Sequence, residues 1–362
     1  MKRAYNFSAG PGVLPIPVLE ATAKAAVDFN NLGMSIMEMS HRSKEYDEVF
    51  VTAQQNGLKI LGLSPDEYDV LFIGGGASLQ FIMLPMNFLK TSADYINTGN
   101  WAKNAIKEAK FVGKVNVAAS SDDKNFNYIP RTFNFDPKAD YVHYTTNNTI
   151  FGTRFNFIPD VDKNIPLISD MSSDFMSRPM DYSRFSMIYA GAQKNIGPSG
   201  VTMIVIRKDF AAKAKEEVPT MLKYKTHIEK ASMFNTPPCI NTFVVGEVFK
   251  WILNQGGLEV IEANNIKKAG ILYDYLDANL DYYKPTVTNK EDRSLMNVTW
   301  NLANADLEAK FVSEAKAKHS MTNLKGHRVV GGIRASIYNA CPIESVEALV
   351  KYMEEFKKEN KI

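Results

Sequence analysis

A lysine on a turn between two buried strands can serve as a nucleophile, and Lys194 has that setting. Residues 187–190 are apolar and end at Gly191, and residues 201–206 form a second apolar run. Both read as interior strands, and the Asn-Ile-Gly-Pro-Ser-Gly stretch between them is turn chemistry. An ammonium drawn partly out of water loses some of its preference for the charged form. Its pKa falls, and an amine able to condense with an aldehyde becomes available near neutral pH. Asp170 follows the apolar run 165–169 and falls at the carboxyl end of a parallel strand, the edge where open α/β sheets bind ligands. A carboxylate there can pair with a protonated ring nitrogen, or it can be a plain helix cap. Residues 71–81 read as strand, three glycines (Gly74, Gly75, Gly76), then helix. Free N–H groups at a helix start attract an anion, although a tight turn without a ligand has the same look. The spacing is not the G-x-G-x-x-G of a dinucleotide site. Five further basic residues stand at His41-Arg42, His327-Arg328 and Arg334, the first pair far from the others in the chain. Arginine suits a bidentate grip on carboxylate or phosphate.

These residues need a frame. Seven short apolar runs lie at 70–73, 95–96, 115–117, 141–144, 166–169, 187–189 and 201–206, separated by polar or helical segments. That alternation predicts a mainly parallel sheet with helices on both faces, an α/β fold. Pro15 and Pro17 open a helix that runs to about residue 29, and a second helix spans 44–61. Past residue 242 the texture changes. Helices are expected at 243–253, 258–280, 307–318 and from 344, with strands at 294–302, around Val329 and at 333–338. No parallel alternation remains there, which suggests a smaller α+β domain. The expected division is 16–257 for a large domain and 258–362 for a small one, with residues 1–15 packing on the latter.

Five blocks carry a resemblance: Asn6-Phe-Ser-Ala-Gly-Pro11, Glu38-Met-Ser-His-Arg42, the segment 186–200 around Lys194, Ser232-Met-Phe-Asn-Thr-Pro-Pro238, and residues 326–340. In type and order they resemble the phosphoserine aminotransferase family, whose members use pyridoxal phosphate. The resemblance implies an aspartate-aminotransferase-like (fold type I) PLP-dependent transferase fold and a homodimer with shared active sites. It implies that Lys194 is the cofactor lysine, that Asp170 faces the ring nitrogen, that Trp101 stacks on the ring and that Thr149 bonds the ring hydroxyl. The backbone at Ala77 and Ser78, with Gln193, would hold the cofactor phosphate, joined by Asn235 and Thr236 of the neighbouring subunit. Arg334 would take the substrate α-carboxylate. His41, Arg42, His327 and Arg328 would take the distal phosphate or the side-chain carboxylate of glutamate. Some members of the family have Gly-Arg in place of Ala77-Ser78, so no guanidinium contact is expected from this turn. The implied reaction is amino transfer from L-glutamate to 3-phosphohydroxypyruvate, giving phosphoserine and 2-oxoglutarate, in serine biosynthesis and in a related step of vitamin B6 formation. The alternative is another fold type I aminotransferase acting on a small amino acid.

Composition sets limits on other classes. The chain has 362 residues, 42 basic against 40 acidic, for a net charge of +2, which argues against nucleic acid as a main partner. Two cysteines, Cys239 and Cys341, supply neither a disulfide framework nor metal-ligand spacing, and read as buried small residues. Neither setting suggests the mobile reactive cysteine of a desulfurase on the same fold. The basic N-terminus has no apolar run behind it, and the uncharged stretch near 70–89 is broken by glycines and a proline. A cytoplasmic protein without membrane or metal is expected.

Overall fold

The computed structural model describes residues 3–361. Its elements in chain order are β1 (Tyr5–Asn6), α1 (Ile16–Val27), α2 (Lys44–Leu61), β2 (Tyr68–Ile73), α3 (Gly76–Phe88), β3 (Ser92–Asn97), α4 (Asn100–Val112), β4 (Lys114–Ser120), β5 (Val142–Thr145), β6 (Leu167–Asp170), β7 (Met187–Gly191) and β8 (Thr202–Arg207). There follow α5 (Lys208–Ala211), α6 (Tyr224–Glu229), α7 (Cys239–Asn254), α8 (Leu258–Ala278), β9 (Lys284–Pro285), β10 (Asn297–Asn301), α9 (Ala305–His319), β11 (Met321–Thr322), β12 (Ile333–Ser336) and α10 (Ile343–Glu359).

Each of the seven apolar runs becomes a strand of one sheet, in the order β2-β8-β7-β6-β5-β3-β4. β8 alone runs against its neighbours β2 and β7, and the remaining pairs are parallel. Alternate residues face opposite sides, so one strand serves two cores. Val70 and Phe72 of β2 join α1, α2 and α7 on one face. Leu71 and Ile73 join α3, α4, Phe210 and Tyr224 on the other. With both faces covered, β2, β7 and β8 are buried almost throughout and show in the sequence as continuous apolar runs, whereas the edge strand β4 is mostly not buried.

A second core gathers Phe7 with residues 269–356, including Trp300, Phe311, Leu349 and Tyr352. Here β10 pairs antiparallel with β12 and β9, and β1 pairs parallel with β11. α8 belongs to both cores: Leu258 and Ile261 pack in the first, Ala269, Leu272 and Leu276 in the second.

One expected strand is absent. Val329 lies in a turn of the loop 326–332, and β12 finds its partner in β10 instead. The loop closes at its neck through the Gly326 amide, which donates to the Gly332 carbonyl at 2.9 Å. Gly331 and Gly332 have φ of 73° and 68°, a conformation that ends strand pairing. α7 also begins four residues before the expected 243, directly after Pro238 at its cap. No helix among the described residues is long and apolar enough to cross a membrane.

Candidate active site

The carboxyl ends of the parallel strands converge on one edge of the sheet, and most of the residues singled out above follow directly from them. β2 leads into the glycine turn and α3, β3 into Trp101, β5 into Thr149, β6 ends on Asp170 and β7 leads into Lys194. This is the edge at which a ligand contacts successive loops of an open α/β sheet.

Lys194 Nζ donates to Thr149 Oγ1 at 2.8 Å and lies 5.7 Å from the centre of the Trp101 ring. Burial lowers its pKa to about 8; Asp170 opposes that shift, and Arg334 adds to it. Arg334, on β12, donates through Nη1 to the Thr149 carbonyl at 3.1 Å. Thr149 therefore stands between the amine and the guanidinium, its hydroxyl on one and its carbonyl on the other. Burial lowers the Arg334 pKa as well.

Asp170 is 4% exposed. Its Oδ1 accepts from the Ser172 amide at 2.9 Å and the Ser172 hydroxyl at 2.6 Å. One oxygen thus does the work of a cap, while the other makes no hydrogen bond to the described residues. Burial raises the Asp170 pKa, opposed by Ser172 and Lys194. Ser172 was not singled out in the sequence, yet it does more than cap. Its hydroxyl also accepts from the Gly191 amide at 3.1 Å, tying the aspartate to the end of β7. The Asp-x-Ser spacing, typical of a side-chain turn, was the available signal.

α3 begins at Gly76 after Gly75 (φ 93°) and carries no side-chain cap. Its first amides, at Gly76, Ala77 and Ser78, have no intrahelical acceptor and stand open to an anion. Gln193 holds the N-terminal segment: its carbonyl accepts from the Gly12 amide at 2.7 Å. Tyr338 Oη donates to the Ala9 carbonyl at 2.7 Å, so residues 9–12 lie against the lysine loop. A Cβ at Gly12 would come within 2.8 Å of the Lys194 carbonyl oxygen.

His327 and Arg328 sit on the 326–332 loop beside Arg334; burial first, then the charges of Arg334 and Arg328, lower the His327 pKa. His41, half-buried, and Arg42, exposed, make no hydrogen bond or ion pair with the groups around Lys194. Asn235 and Thr236 are exposed and line a cavity of about 410 Å³ with Ile73, Gly74 and Leu79, at the start of α3. Burial raises the pKa of Cys239 and of Cys341, the reverse of what a nucleophilic thiol needs. No cluster of three metal-ligating side chains occurs among the described residues.

The sequence model of the Aminotransferase class-V family matches residues 4–349. The chain belongs to the class-V aminotransferase family. It is accordingly an enzyme, a PLP-type aminotransferase by fold. A phosphoserine aminotransferase of Desulfosudis oleivorans is 51% identical over 99% of both chains. Among solved structures, phosphoserine aminotransferase from Bacillus circulans subsp. alkalophilus superposes with a TM-score of 0.96 at 49% identity, again over 99% of each chain. The PLP-bound phosphoserine aminotransferase of Trichomonas vaginalis gives 0.91 at 38% identity, covering 97% of this chain and 100% of that one.

The residues present fit that cofactor. The open amides of α3 suit a phosphate, the half-free carboxylate of Asp170 suits a cationic ring atom, and the desolvated amine of Lys194 suits an aldehyde. Two buried donors at the same site, Trp101 Nε1 and Arg334 Nε, have no hydrogen-bond partner among the described residues.

Proposed function

We propose that the chain is a phosphoserine aminotransferase, moving the amino group of L-glutamate to 3-phosphohydroxypyruvate to give O-phospho-L-serine and 2-oxoglutarate, reversibly, in serine biosynthesis. The observation that carries this reading is the Lys194–Thr149–Arg334 array beside Asp170, in a chain about half identical to phosphoserine aminotransferases from end to end.

When bound, pyridoxal phosphate supplies an aldehyde that carries the amino group and a ring that withdraws electrons from the substrate Cα. The protein's part is to place and protonate. Lys194 would hold the cofactor and, as a free amine, would move the Cα proton with its Nζ as general base and acid. A pKa of about 8 keeps both forms of that amine available near neutral pH. Thr149 sets the direction of Nζ. The free oxygen of Asp170 would hold a positive charge on the ring nitrogen, Trp101 would cover the ring, and the amides of Ala77 and Ser78, with Gln193, would hold the phosphate. Arg334 takes the α-carboxylate, and His327 and Arg328 the distal anion.

His41, Arg42, Asn235 and Thr236 are assigned to the site of a second subunit. They sit on segments that expose large apolar side chains: Leu32, Met34 and Met37 before the first pair, Met221 and Phe234 around the second. Such side chains favour an interface with another copy. In this reading the site is shared in a homodimer, residues 16–257 form the cofactor domain, and 258–362 with 1–15 the smaller one. The substrates are small anions, and in this reading the reaction takes place in the cytoplasm.

The test is purified protein with pyridoxal phosphate, glutamate and 3-phosphohydroxypyruvate, following 2-oxoglutarate. Phosphoserine should form. Rapid turnover of an unphosphorylated small amino acid, with no phosphoserine formed, would instead mark a different aminotransferase.

A further inference from the structure

Lys268 has no part in the chemistry above, yet it is only 2% exposed. Its Nζ donates to the carbonyls of Ile337 (3.1 Å), Tyr338 (2.6 Å) and Asn339 (3.3 Å). Among the described residues no carboxylate forms an ion pair with it. A buried ammonium met only by backbone is costly compared with an apolar residue of the same size, so stability is a poor reason to find one here.

Its position suggests a better reason. Lys268 lies on α8 between Ile261, in the first core, and Ala269, in the second. The three carbonyls it holds follow directly on β12, the strand that carries Arg334. The last of them belongs to a junction residue. The Asn339 amide donates to Asn195 Oδ1 at 3.0 Å, next to Lys194 in the chain. Asn339 Nδ2 donates to the Met176 carbonyl at 2.9 Å, on the segment that leaves Asp170. One turn before Lys268, Asn265 Nδ2 donates to Asn339 Oδ1 at 2.8 Å and to the Ser177 carbonyl at 3.1 Å. The residues after Lys194, Asp170 and Arg334 therefore meet at Asn339, and α8 holds Asn339 from behind.

We propose that Lys268 is a positioning residue for amino transfer: its ammonium fixes residues 337–339 and, through Asn339 and Asn195, sets where Lys194 stands relative to Asp170 and Arg334. The proposal rests on the reading of Lys194 as the cofactor lysine. Lys268 touches neither substrate nor cofactor. Its effect is on geometry, and a displacement of about 1 Å at reacting atoms can cost on the order of a hundredfold in rate.

The experiment compares Lys268→Met, Lys268→Arg and a core control, Leu349→Val, with wild type. Amide hydrogen exchange is measured first on the cofactor-free proteins. Lys268→Met should speed exchange in peptides covering 192–197 as well as 336–341, while Leu349→Val should leave 192–197 unchanged. In the loaded enzymes Lys268→Met should lower kcat by roughly tenfold to a hundredfold, for phosphoserine and alanine alike, with KM little changed. Lys268→Arg, which keeps the charge and the donors, should restore a large part of kcat. Unchanged exchange at 192–197 in Lys268→Met, or an equal change in the control, would overturn the proposal. Should Lys268→Met not fold, Asn265→Ala removes one support of Asn339 and should reproduce the exchange change at 192–197 in weaker form; no change there would also overturn it. Failure of the underlying reading shows separately. Borohydride would then fix pyridoxal phosphate to a lysine other than Lys194, while the cofactor-free exchange result would stand unaltered.

Discussion

At the scale of single residues, the lysine and the aspartate have opposite problems of burial. Burial pushes Lys194 towards its neutral amine and Asp170 towards its neutral acid, and each opposes the other's shift. For Lys194 the consequence can be read against pH. Below its pKa of about 8 the free-amine fraction grows about tenfold per pH unit, and above it the fraction levels off. The initial rate at which pyridoxal phosphate condenses with Lys194 in the cofactor-free protein should follow that curve, with the product then trapped by borohydride and the labelled peptide identified by mass spectrometry. Lys194→Ala should still bind the cofactor but lose both fixation and turnover. The same shift bears on folding. The folded pKa lies below the unfolded value of 10.5, so between about 8 and 10.5 the unfolded chain binds more protons. The penalty of burying the charged amine is full below that window and is relieved as pH rises through it. Wild type should therefore gain stability relative to Lys194→Ala between pH 8 and 10, measured by urea unfolding of the cofactor-free proteins. Asp170→Asn keeps the size and the Ser172 bonds but removes the anion facing the ring. Cofactor affinity should survive, and the step that breaks the Cα–H bond should slow, seen as a larger deuterium isotope effect on kcat; normal turnover would leave Asp170 a cap alone.

At the scale of elements, the site depends on segments that carry no chemistry. Residues 9–12 are held by Gln193 and Tyr338, and Gly12 has room for no side chain. Its Cβ would stand 2.8 Å from the Lys194 carbonyl and 2.9 Å from the Tyr338 ring. Gly12→Ala should cost about 1–3 kcal/mol, as overpacking does, and should lower the melting temperature. Because the clash is with Lys194 itself, it should also weaken pyridoxal phosphate binding, checked by absorbance titration. The sequence announces some of these elements clearly. α2 runs over the expected 44–61 because both ends are marked: Ser43 Oγ accepts from the Tyr46 amide, and Gly62 is left-handed. In the loop 326–332, Val329 and Val330 have the composition of a strand yet form a turn. The physical cause is non-local: the Gly326–Gly332 neck closes the loop, and Val330 packs with Phe126, Ile150 and Phe151 from another part of the chain. The start of α7 is hard to read in the sequence because its first turn, at 239–242, has mixed polarity and follows Pro238 rather than an apolar period.

At the scale of the whole molecule, chemistry-bearing side chains were legible one by one, whereas their supports were not. Asn339 and Lys268 act through backbone atoms of segments up to 163 residues away, and no local pattern encodes such a contact; for Ser172 the Asp-x-Ser spacing marks the bond to Asp170 but not the one to Gly191. The division of site residues between subunits is a question of the same scale. Arg334 lies with Lys194 in one chain, bridged by Thr149, whereas Arg42 has no link to that array. Removing an arginine that makes two charge-assisted hydrogen bonds costs roughly 3–5 kcal/mol, or about a hundredfold to a few thousandfold in kcat/KM. Arg334→Ala should impose that loss on phosphoserine and alanine equally, since both carry the α-carboxylate. Arg42→Ala and Arg328→Ala should impose it on phosphoserine alone. Hybrids then separate cis from trans. In a dimer of one Lys194→Ala and one Arg42→Ala chain, a shared site combines the intact Lys194 of one chain with the intact Arg42 of the other. One of its two sites is whole, and phosphoserine turnover should return to about half the wild-type value per dimer. In a dimer of Lys194→Ala with Arg334→Ala, the intact lysine always meets the damaged arginine of its own chain, and nothing should return. Recovery in the second hybrid, or none in the first while the phosphoserine-to-alanine ratio of Arg42→Ala still falls, would place Arg334 or Arg42 on the other side of the interface from the one assigned here.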